Sequence, residues 1–189
     1  MGQGYLYSIL AISSSHKFNA LAYSILPSSR YCPVETAADE ETARQRLKEQ
    51  TYDIVIINSP LPDGDGIKLA IEIATKTSSC VMLLVKKETY DDVTAQVEGY
   101  GIAVIPRPLS VPLFSQSLKI LCAERQRLLR LERRQQNIRL INTAKWLLIG
   151  YMKLTESEAQ RYIEKTAMDT RLSKTEVAKN IIKVYQDYH

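Results

Sequence analysis

The sequence is poor in the residues that usually carry enzyme and metal chemistry. It has two histidines, His16 and His189, and three widely separated cysteines, Cys32, Cys80 and Cys122. Because there is no Cys-x-x-Cys pair and no Cys/His cluster, neither a zinc site nor a disulfide framework is indicated. No nucleophile can be matched to a general base, so we expect no enzyme activity, no metal and no cofactor.

Long hydrophobic runs are also missing. The apolar run at residues 5–12 is too short to cross a bilayer, and no signal peptide is recognised. We therefore expect a cytoplasmic protein with no membrane attachment and with reduced cysteines. The length of 189 residues, with 45% apolar and 24% charged residues, is typical of a globular chain with one medium and one small domain.

Charge is unevenly distributed along the chain. Residues 1–110 carry 10 Lys and Arg against 13 Asp and Glu, a net of −3, whereas residues 111–189 carry 15 against 8, a net of +7. A basic C-terminal part indicates a surface for nucleic acid or for an acidic partner. A solvated helix surface explains the same charge equally well.

Short apolar runs alternate with amphipathic segments over the first 110 residues. This order predicts a flavodoxin-like α/β domain, in which helices cover both faces of five parallel strands. The predicted strands are residues 5–13, 31–36, 52–58, 80–85 and 102–105, and the predicted helices are residues 16–25, 39–50, 65–76 and 90–99.

A long helix is predicted over residues 111–148, with Gly150 ending or bending it. Such length is typical of a coiled coil. Spacing of the a/d type occurs in two frames that do not join smoothly, one over residues 118–128 and one over residues 128–142. We expect this helix to hold a homodimer, and packing against the chain's own domains is the alternative.

Two capping boxes mark the starts of two further helices. They pair Thr155 with Glu158 and Ser173 with Glu176. In each box the hydroxyl accepts from a backbone N–H three residues on, while the Glu side chain reaches back. Apolar residues then recur at helical spacing, so the C-terminal part is predicted to contain three helices.

Three features occur together in the first 110 residues: the five-fold βα order, the segment DIVIINSPLPDGDG at residues 53–66, and Arg107 followed by Pro after the fifth strand. With these features the first 110 residues resemble the receiver domain of bacterial response regulators. In that family a phosphorylated Asp ends the third strand, four residues before a Pro. The corresponding residues here are Asn58 and Pro62.

The positions that carry the family's phosphorylation chemistry are altered. An amide cannot act as the nucleophile that forms an acyl phosphate. The acids that bind Mg²⁺ in the family fall on serines (residues 13–14 or 14–15), its switch hydroxyl falls on a Val, and its Lys falls on an Arg. The resemblance therefore implies a degenerate receiver that acts as a scaffold or contacts a sensor or regulatory protein. Its altered pocket consists of Ser13, Ser14, Asn58, Val85 and Arg107.

Two acids lie close to this pocket in sequence. Asp63 and Asp65 belong to the loop at the carboxyl end of the third strand, where such sheets place their chemistry. We expect them to be turn and helix-capping residues rather than a displaced phosphorylation site.

Residues 137–184 contain a string of residues with characteristic spacings. They are Ala144, Lys145 and Leu148, then Glu158, Ala159, Ala167, Met168 and Asp169, and finally Val177, Ala178, Ile181 and Ile182. In these residues the segment resembles the ANTAR domain of bacterial regulators that act on transcription termination, and the whole string is more specific than any one pair. Trp146 departs from the family pattern, which usually has Gly there.

The resemblance implies that the chain binds RNA. The target would be a pair of short hairpins in leader RNA, and their stabilisation would prevent a nearby terminator from forming. Basic helix faces neutralise phosphates, and unpaired bases stack on aromatic or guanidinium groups such as Trp146, Tyr151 or Arg171. For Trp146 and Met168 core packing is the alternative, and for the lysines a solvated face. The predicted RNA-binding residues are Arg139, Ala144, Lys145, Met168, Arg171, Lys174 and Lys179.

The predicted architecture has three parts: a receiver-like domain (residues 1–110), a coiled-coil linker helix (111–136) and a three-helix ANTAR domain (137–189). The predicted function is transcription antitermination by a homodimer that binds RNA. The alternative is a protein-interaction adaptor of a two-component-like pathway, whose helical tail binds a partner protein. A DNA-binding response regulator fits the ANTAR matches less well.

Overall fold

The computed structural model describes residues 5–186. The chain forms two compact units, Met1–Leu128 and Leu129–His189, and the boundary between them falls within one helix. Within the described residues, none of the helices has an apolar stretch long enough to span a bilayer.

The first unit is a parallel sheet with strand order β2-β1-β3-β4-β5. The strands are β1 (Tyr7–Ile12), β2 (Tyr31–Ala37), β3 (Ile54–Asn58), β4 (Cys80–Lys86) and β5 (Ala103–Arg107). The helices are α1 (His16–Ile25), α2 (Glu40–Glu49), α3 (Ile67–Lys76), α4 (Tyr90–Gln96) after a 3₁₀ turn at Lys87–Thr89, and α5 (Val111–Met152). The predicted flavodoxin-like fold is confirmed.

Alternate residues of the central strands line the two faces of the sheet, as the two-residue period of a strand requires. On one face, Ile54 and Ile56 of β3 belong to a core that includes Phe18 of α1. On the other face, Val55 and Ile57 belong to a core that includes α2, α3 and α4. Burial on both faces explains why the β3 sequence IVIIN is almost continuously apolar.

The first part of α5 packs against the sheet of the first unit. Phe114, Leu118 and Leu121 are 1–5% exposed and belong to the same core as α1. Burial of a Phe or Leu side chain contributes roughly 1.5–3 kcal/mol, so these residues hold the helix to the sheet. The alternative of packing within the chain is therefore confirmed for the frame over residues 118–128. The proposed linker, residues 111–136, thus begins with a segment that belongs to the receiver core.

A buried ion pair also holds α5 to the sheet. Arg125 Nε donates to Asp53 Oδ1 at 2.8 Å, and Arg125 Nη1 donates to the carbonyl oxygen of Ser78 at 3.0 Å. The same Asp53 carboxylate accepts from the Tyr5 hydroxyl at 2.9 Å and from the Ser8 backbone N–H at 3.0 Å. Burial and the bond to Asp53 raise the pKa of Tyr5 to about 12.

The second unit contains the end of α5, α6 (Glu156–Thr170) and α7 (Lys174–Gln186). Both predicted capping boxes are present. Thr155 N–H donates to Glu158 at 2.8 Å, and Ser173 N–H donates to Glu176 at 2.8 Å. The interpretation of Gly150 as the end of the helix is wrong, because α5 continues to Met152 and the left-handed residue after it is Lys153, with φ 55°.

Candidate functional site

Asn58 and Ser13 meet at the carboxyl ends of β3 and β1. Asn58 Nδ2 donates to Ser13 Oγ at 2.9 Å, and the same hydroxyl oxygen accepts from the Ser15 backbone N–H at 3.1 Å. Asn58 and Ser13 are 6% and 1% exposed. The structure thus brings together the residues at the phosphoacceptor position and at the first candidate metal position.

The remaining pocket residues provide no acid. Val85 is buried and apolar, Ser14 is exposed, and Arg107 is partly buried. Within the described residues, Asn58 Oδ1 and Arg107 Nε are buried without a hydrogen-bond partner. Mg²⁺ prefers carboxylate oxygens, so a set of hydroxyls and one amide does not fit the ion that receiver domains use. An amide also cannot form an acyl phosphate.

The two nearby loop acids have structural roles. Asp63 accepts from the backbone N–H groups of Glu40 and Glu41 at 2.9 and 3.1 Å, in the first turn of α2. The bond from Glu40 is the main reason why the pKa of Asp63 is lowered. Asp65 accepts from the Ile67 backbone N–H at 2.9 Å, at the start of α3. Their interpretation as turn and capping residues is confirmed.

Small residues form the centre of the helical unit. Ala144, Ala159 and Ala178 are 0% exposed and pack with Leu148 and Ile163. Alanine at these positions allows the three helices to approach closely. Ala144 was predicted to contact RNA, but a side chain without exposed surface cannot do so, and its role is helix packing.

Lys145 lies at the edge of this core and faces α6. Its side chain is 16% exposed, and its Nζ lies 2.9 Å from Glu156 Oε1. The hydrogen bond from Lys145 lowers the pKa of Glu156, which favours the ionised carboxylate. A phosphate that binds Lys145 must therefore compete with this carboxylate.

Lys174 is paired in the same way. Its Nζ lies 2.7 Å from Glu164 Oε1, which also accepts from Gln160 Nε2 at 2.8 Å. The bond from Lys174 is the main cause of the lowered pKa of Glu164. Each of these two predicted RNA-binding lysines thus has a carboxylate partner within the unit.

The other predicted cations are exposed. Arg139 lies on α5 and Lys179 on α7, both with exposed side chains. Arg171 ends α6 in the left-handed conformation, with φ 57°, and its N–H bonds back to the last turn of α6. These side chains are available to neutralise phosphates.

Two large apolar side chains lie in solvent. Trp146 is 73% exposed and Met168 is 80% exposed, so the alternative that either packs in the core is wrong. Trp146 lines a groove with Lys145, and Met168 lines a second groove with Lys174. Two of the predicted RNA-binding lysines, Lys145 and Lys174, therefore each line a groove with one exposed apolar side chain.

Sequence reasoning missed one feature of this unit. Tyr151 of α5 and Tyr185 of α7 stack with their ring centroids 4.7 Å apart. The stack borders an apolar groove that is also lined by half-exposed Met152 and Tyr162. The sequence shows that Tyr151 and Tyr185 are aromatic, but it does not show that they stack, because the stack depends on how α5 and α7 pack.

Both units match known protein families. Residues 9–112 match the response regulator receiver domain, and residues 129–182 match the ANTAR domain. The chain belongs to the response regulator family and carries an ANTAR domain at its C-terminal end. Both families are regulatory, and ANTAR domains bind RNA.

Individual relatives agree with this assignment. The chain is 26% identical over 157 residues to the transcriptional regulatory protein PdtaR of Mycobacterium tuberculosis, covering 79% of this chain and 77% of that protein. In fold, it is similar to the signal receiver domain of an HD domain-containing protein from Pseudomonas fluorescens Pf-5. The TM-score is 0.59 at 21% identity, covering 66% of this chain and 92% of that one.

A second solved structure shows the same fold. It is a two-component transcriptional regulator AraC from Clostridium phytofermentans, with a TM-score of 0.58 at 14% identity. The match covers 64% of this chain and 96% of that one.

Proposed function

We propose that this protein is a cytoplasmic transcription antitermination regulator, which binds and stabilises a pair of hairpins in leader RNA. The observation that carries the proposal is the ANTAR unit itself. Its solvent surface presents Arg139, Arg171 and Lys179, and it exposes Trp146 and Met168 beside Lys145 and Lys174. Cations for phosphates and apolar surfaces for unpaired bases are the groups that RNA loops require.

The receiver unit, in this proposal, does not respond to phosphorylation. Asn58 replaces the nucleophile, serines replace the metal-binding acids, and Val85 and Arg107 replace the switch hydroxyl and the lysine. The buried Asn58–Ser13 hydrogen bond occupies the place where the acyl phosphate would form. Control of RNA binding then depends on dimerisation or on a sensor or regulatory protein that contacts this unit.

A homodimer would form through the part of α5 that follows the receiver core. This part includes the end of the linker region, residues 111–136, and the start of the ANTAR domain. Leu131 and Ile138 are 47% and 51% exposed, and they keep a/d spacing with Gln135 between them. Two linked ANTAR units can bind two hairpins at once, which raises the apparent affinity without any new contact.

A gel-shift titration with a tandem-hairpin leader RNA tests RNA binding. Lys145→Ala should weaken binding and lower the salt dependence by about one phosphate contact. Lys119→Ala, which removes an exposed lysine from the first unit, is the charge-matched control and should bind like the wild type. Absence of RNA binding, or equal binding by both variants, would contradict the proposal.

The apolar groove beside the Tyr151–Tyr185 stack favours a second candidate, a protein-interaction adaptor. Met152, Tyr162 and Val184 are 46%, 42% and 52% exposed along this groove. A helix with one apolar face is the kind of partner that such a groove accepts. Val184→Glu separates the two functions, because it should abolish binding of such a helix and leave RNA binding intact if the groove serves only a protein.

A further inference from the structure

Trp146 stands on the solvent face of α5, opposite the packed face that carries Ala144 and Leu148. It is the only tryptophan of the chain, and 73% of its surface is exposed. A large aromatic side chain contributes to stability mainly when it is buried, so Trp146 contributes little to the fold and most of its ring is open to another molecule.

A groove of about 390 Å³ adjoins the indole ring. Its volume lies within the range of roughly 300–1,000 Å³ that is typical of ligand clefts. Ile149 and Leu154 give it an apolar wall, Asn142 supplies an amide, and the Lys145–Glu156 pair lies at its edge. One groove therefore combines an aromatic plane, an amide with both donor and acceptor atoms, and a cation.

We propose that this groove is a nucleobase subsite, in which an unpaired RNA base stacks on Trp146 while Asn142 bonds to its polar edge. The inference rests on the proposed RNA-binding function and adds the place where a base is held. Charge favours RNA as the occupant, because the C-terminal part carries a net +7. Arg139, Asn142 and Trp146 also share one helix face at spacings of three and four residues, so a phosphate beside the base lies near a guanidinium.

A second copy of the chain is the competing occupant. If the a/d frame over residues 128–142 continued along α5, Trp146 would lie beside the dimer seam. A base and a partner helix have different effects on the fluorescence of the indole. Stacking on a base quenches its fluorescence, whereas burial against a helix does not depend on RNA.

The fluorescence of Trp146 reports on this groove alone, because the chain has no other tryptophan. The full-length protein is titrated with an RNA octamer of adenosine, and binding is followed in parallel by anisotropy of a labelled octamer. An octamer of abasic ribose phosphate provides the same charge without bases. We expect the adenosine octamer to quench the emission along its binding curve and the abasic octamer to leave it unchanged. Binding of the adenosine octamer without quenching would overturn the subsite.

Substitutions at this exposed position leave the core intact and separate stacking from apolar contact. Trp146→Leu should weaken binding of the adenosine octamer and of the tandem hairpin roughly 5- to 100-fold, whereas Trp146→Tyr should retain most of the affinity. Equal hairpin binding by all three proteins would overturn the subsite and leave the proposed function standing. If the wild type bound no RNA, both would fail. Loss of the dimer in Trp146→Leu, with RNA binding unchanged, would assign the groove to a subunit interface instead.

Discussion

Arg125 and Asp53 form an ion pair at 2.8 Å, with side chains only 11% and 8% exposed. The pair joins α5 to the residue that precedes β3, 72 positions earlier in the chain. Desolvation of two buried charges offsets most of their attraction, so such a pair contributes more to where the helix lies on the sheet than to net stability. Removal of one partner is different, because the other charge is then left buried and unpaired.

Arg125→Met should therefore destabilise the first unit by about 3–5 kcal/mol, since it leaves the Asp53 carboxylate without its cation. Urea unfolding followed by far-UV circular dichroism measures the change. The double variant Asp53→Asn with Arg125→Met should recover part of the loss, because no unpaired charge remains.

Arg127→Met is the matched control for this prediction. Arg127 pairs with Glu124 at 3.1 Å on the same helix, but its side chain is 64% exposed. An exposed pair contributes about 0–1 kcal/mol, so this variant should unfold close to the wild type. An equal loss of stability in both arginine variants would contradict the role given to burial.

The cysteines should differ sharply in reactivity. Cys32 is exposed, whereas Cys80 and Cys122 are buried, and burial raises the pKa of the Cys80 thiol from 9.0 to about 11. We expect one thiol per chain to react rapidly with a disulfide reagent at pH 8, and all three after unfolding. Cys32→Ser should abolish the rapid phase, and a rapid phase that persisted in this variant would contradict the burial of the other two.

The same shift predicts a dependence of stability on pH. The raised pKa of Cys80 means that the folded state favours the neutral thiol, so its contribution is complete below pH 9 and is lost as the pH rises towards about 11. Cys80→Ala should lessen the decline in the free energy of unfolding over this window. If the decline were unchanged in this variant, other groups would be its cause. Tyr31 is one such group, because burial raises its pKa to about 12.

Local patterns were sufficient to predict most of the fold. The apolar run of β3 and the two capping boxes each act over a few residues, and the structure contains all of them. The two a/d frames of α5 could be recognised in the sequence, but the sequence did not tell which frame packs within the chain and which is left for a dimer. The first frame packs within the chain, and the apolar residues Leu131 and Ile138 of the second are exposed, which explains why the frames do not join.

Long-range pairs could not be predicted. Nothing in helical periodicity connects Arg125 with Asp53, or Lys145 with Glu156, because each pair depends on how separate elements pack. The altered receiver pocket was predictable by residue type, since Asn58 occupies a position defined by a strand end. The hydrogen bond between Asn58 and Ser13 could not be predicted from the sequence. It depends on the pairing of β1 with β3, which are adjacent in the sheet but not in the chain.

Restoring the acceptor alone should not restore phosphorylation. In Asn58→Asp, the new carboxylate still lacks metal-binding acids beside it, and the Ser13 hydroxyl can donate to it in place of the bond from Asn58 Nδ2. Intact-mass analysis after incubation with Mg²⁺ and a small acyl phosphate should show no added phosphoryl group on this variant or on the wild type.

A combined variant is the positive control for this prediction. Ser13→Asp and Ser14→Asp together with Asn58→Asp place carboxylates at both metal positions, and phosphoryl transfer should then become measurable. Stable phosphorylation of the wild type would contradict the structural roles given to Asp63 and Asp65 and would point to one of these loop acids as an acceptor.

The Lys145–Glu156 ion pair should lower the affinity of the proposed RNA-binding surface for RNA. The lowered pKa of Glu156 keeps its carboxylate ionised at neutral pH, and the pair is lost only as the pH falls through that lowered value. Glu156→Gln frees Lys145 and reduces repulsion of phosphate, so RNA affinity at pH 7 should rise several-fold, with a steeper salt dependence. Glu132→Gln, which removes one acid from α5 outside this groove, controls for net charge. If both variants bound RNA equally tightly, the effect would be one of overall charge, and Glu156 would not compete for Lys145.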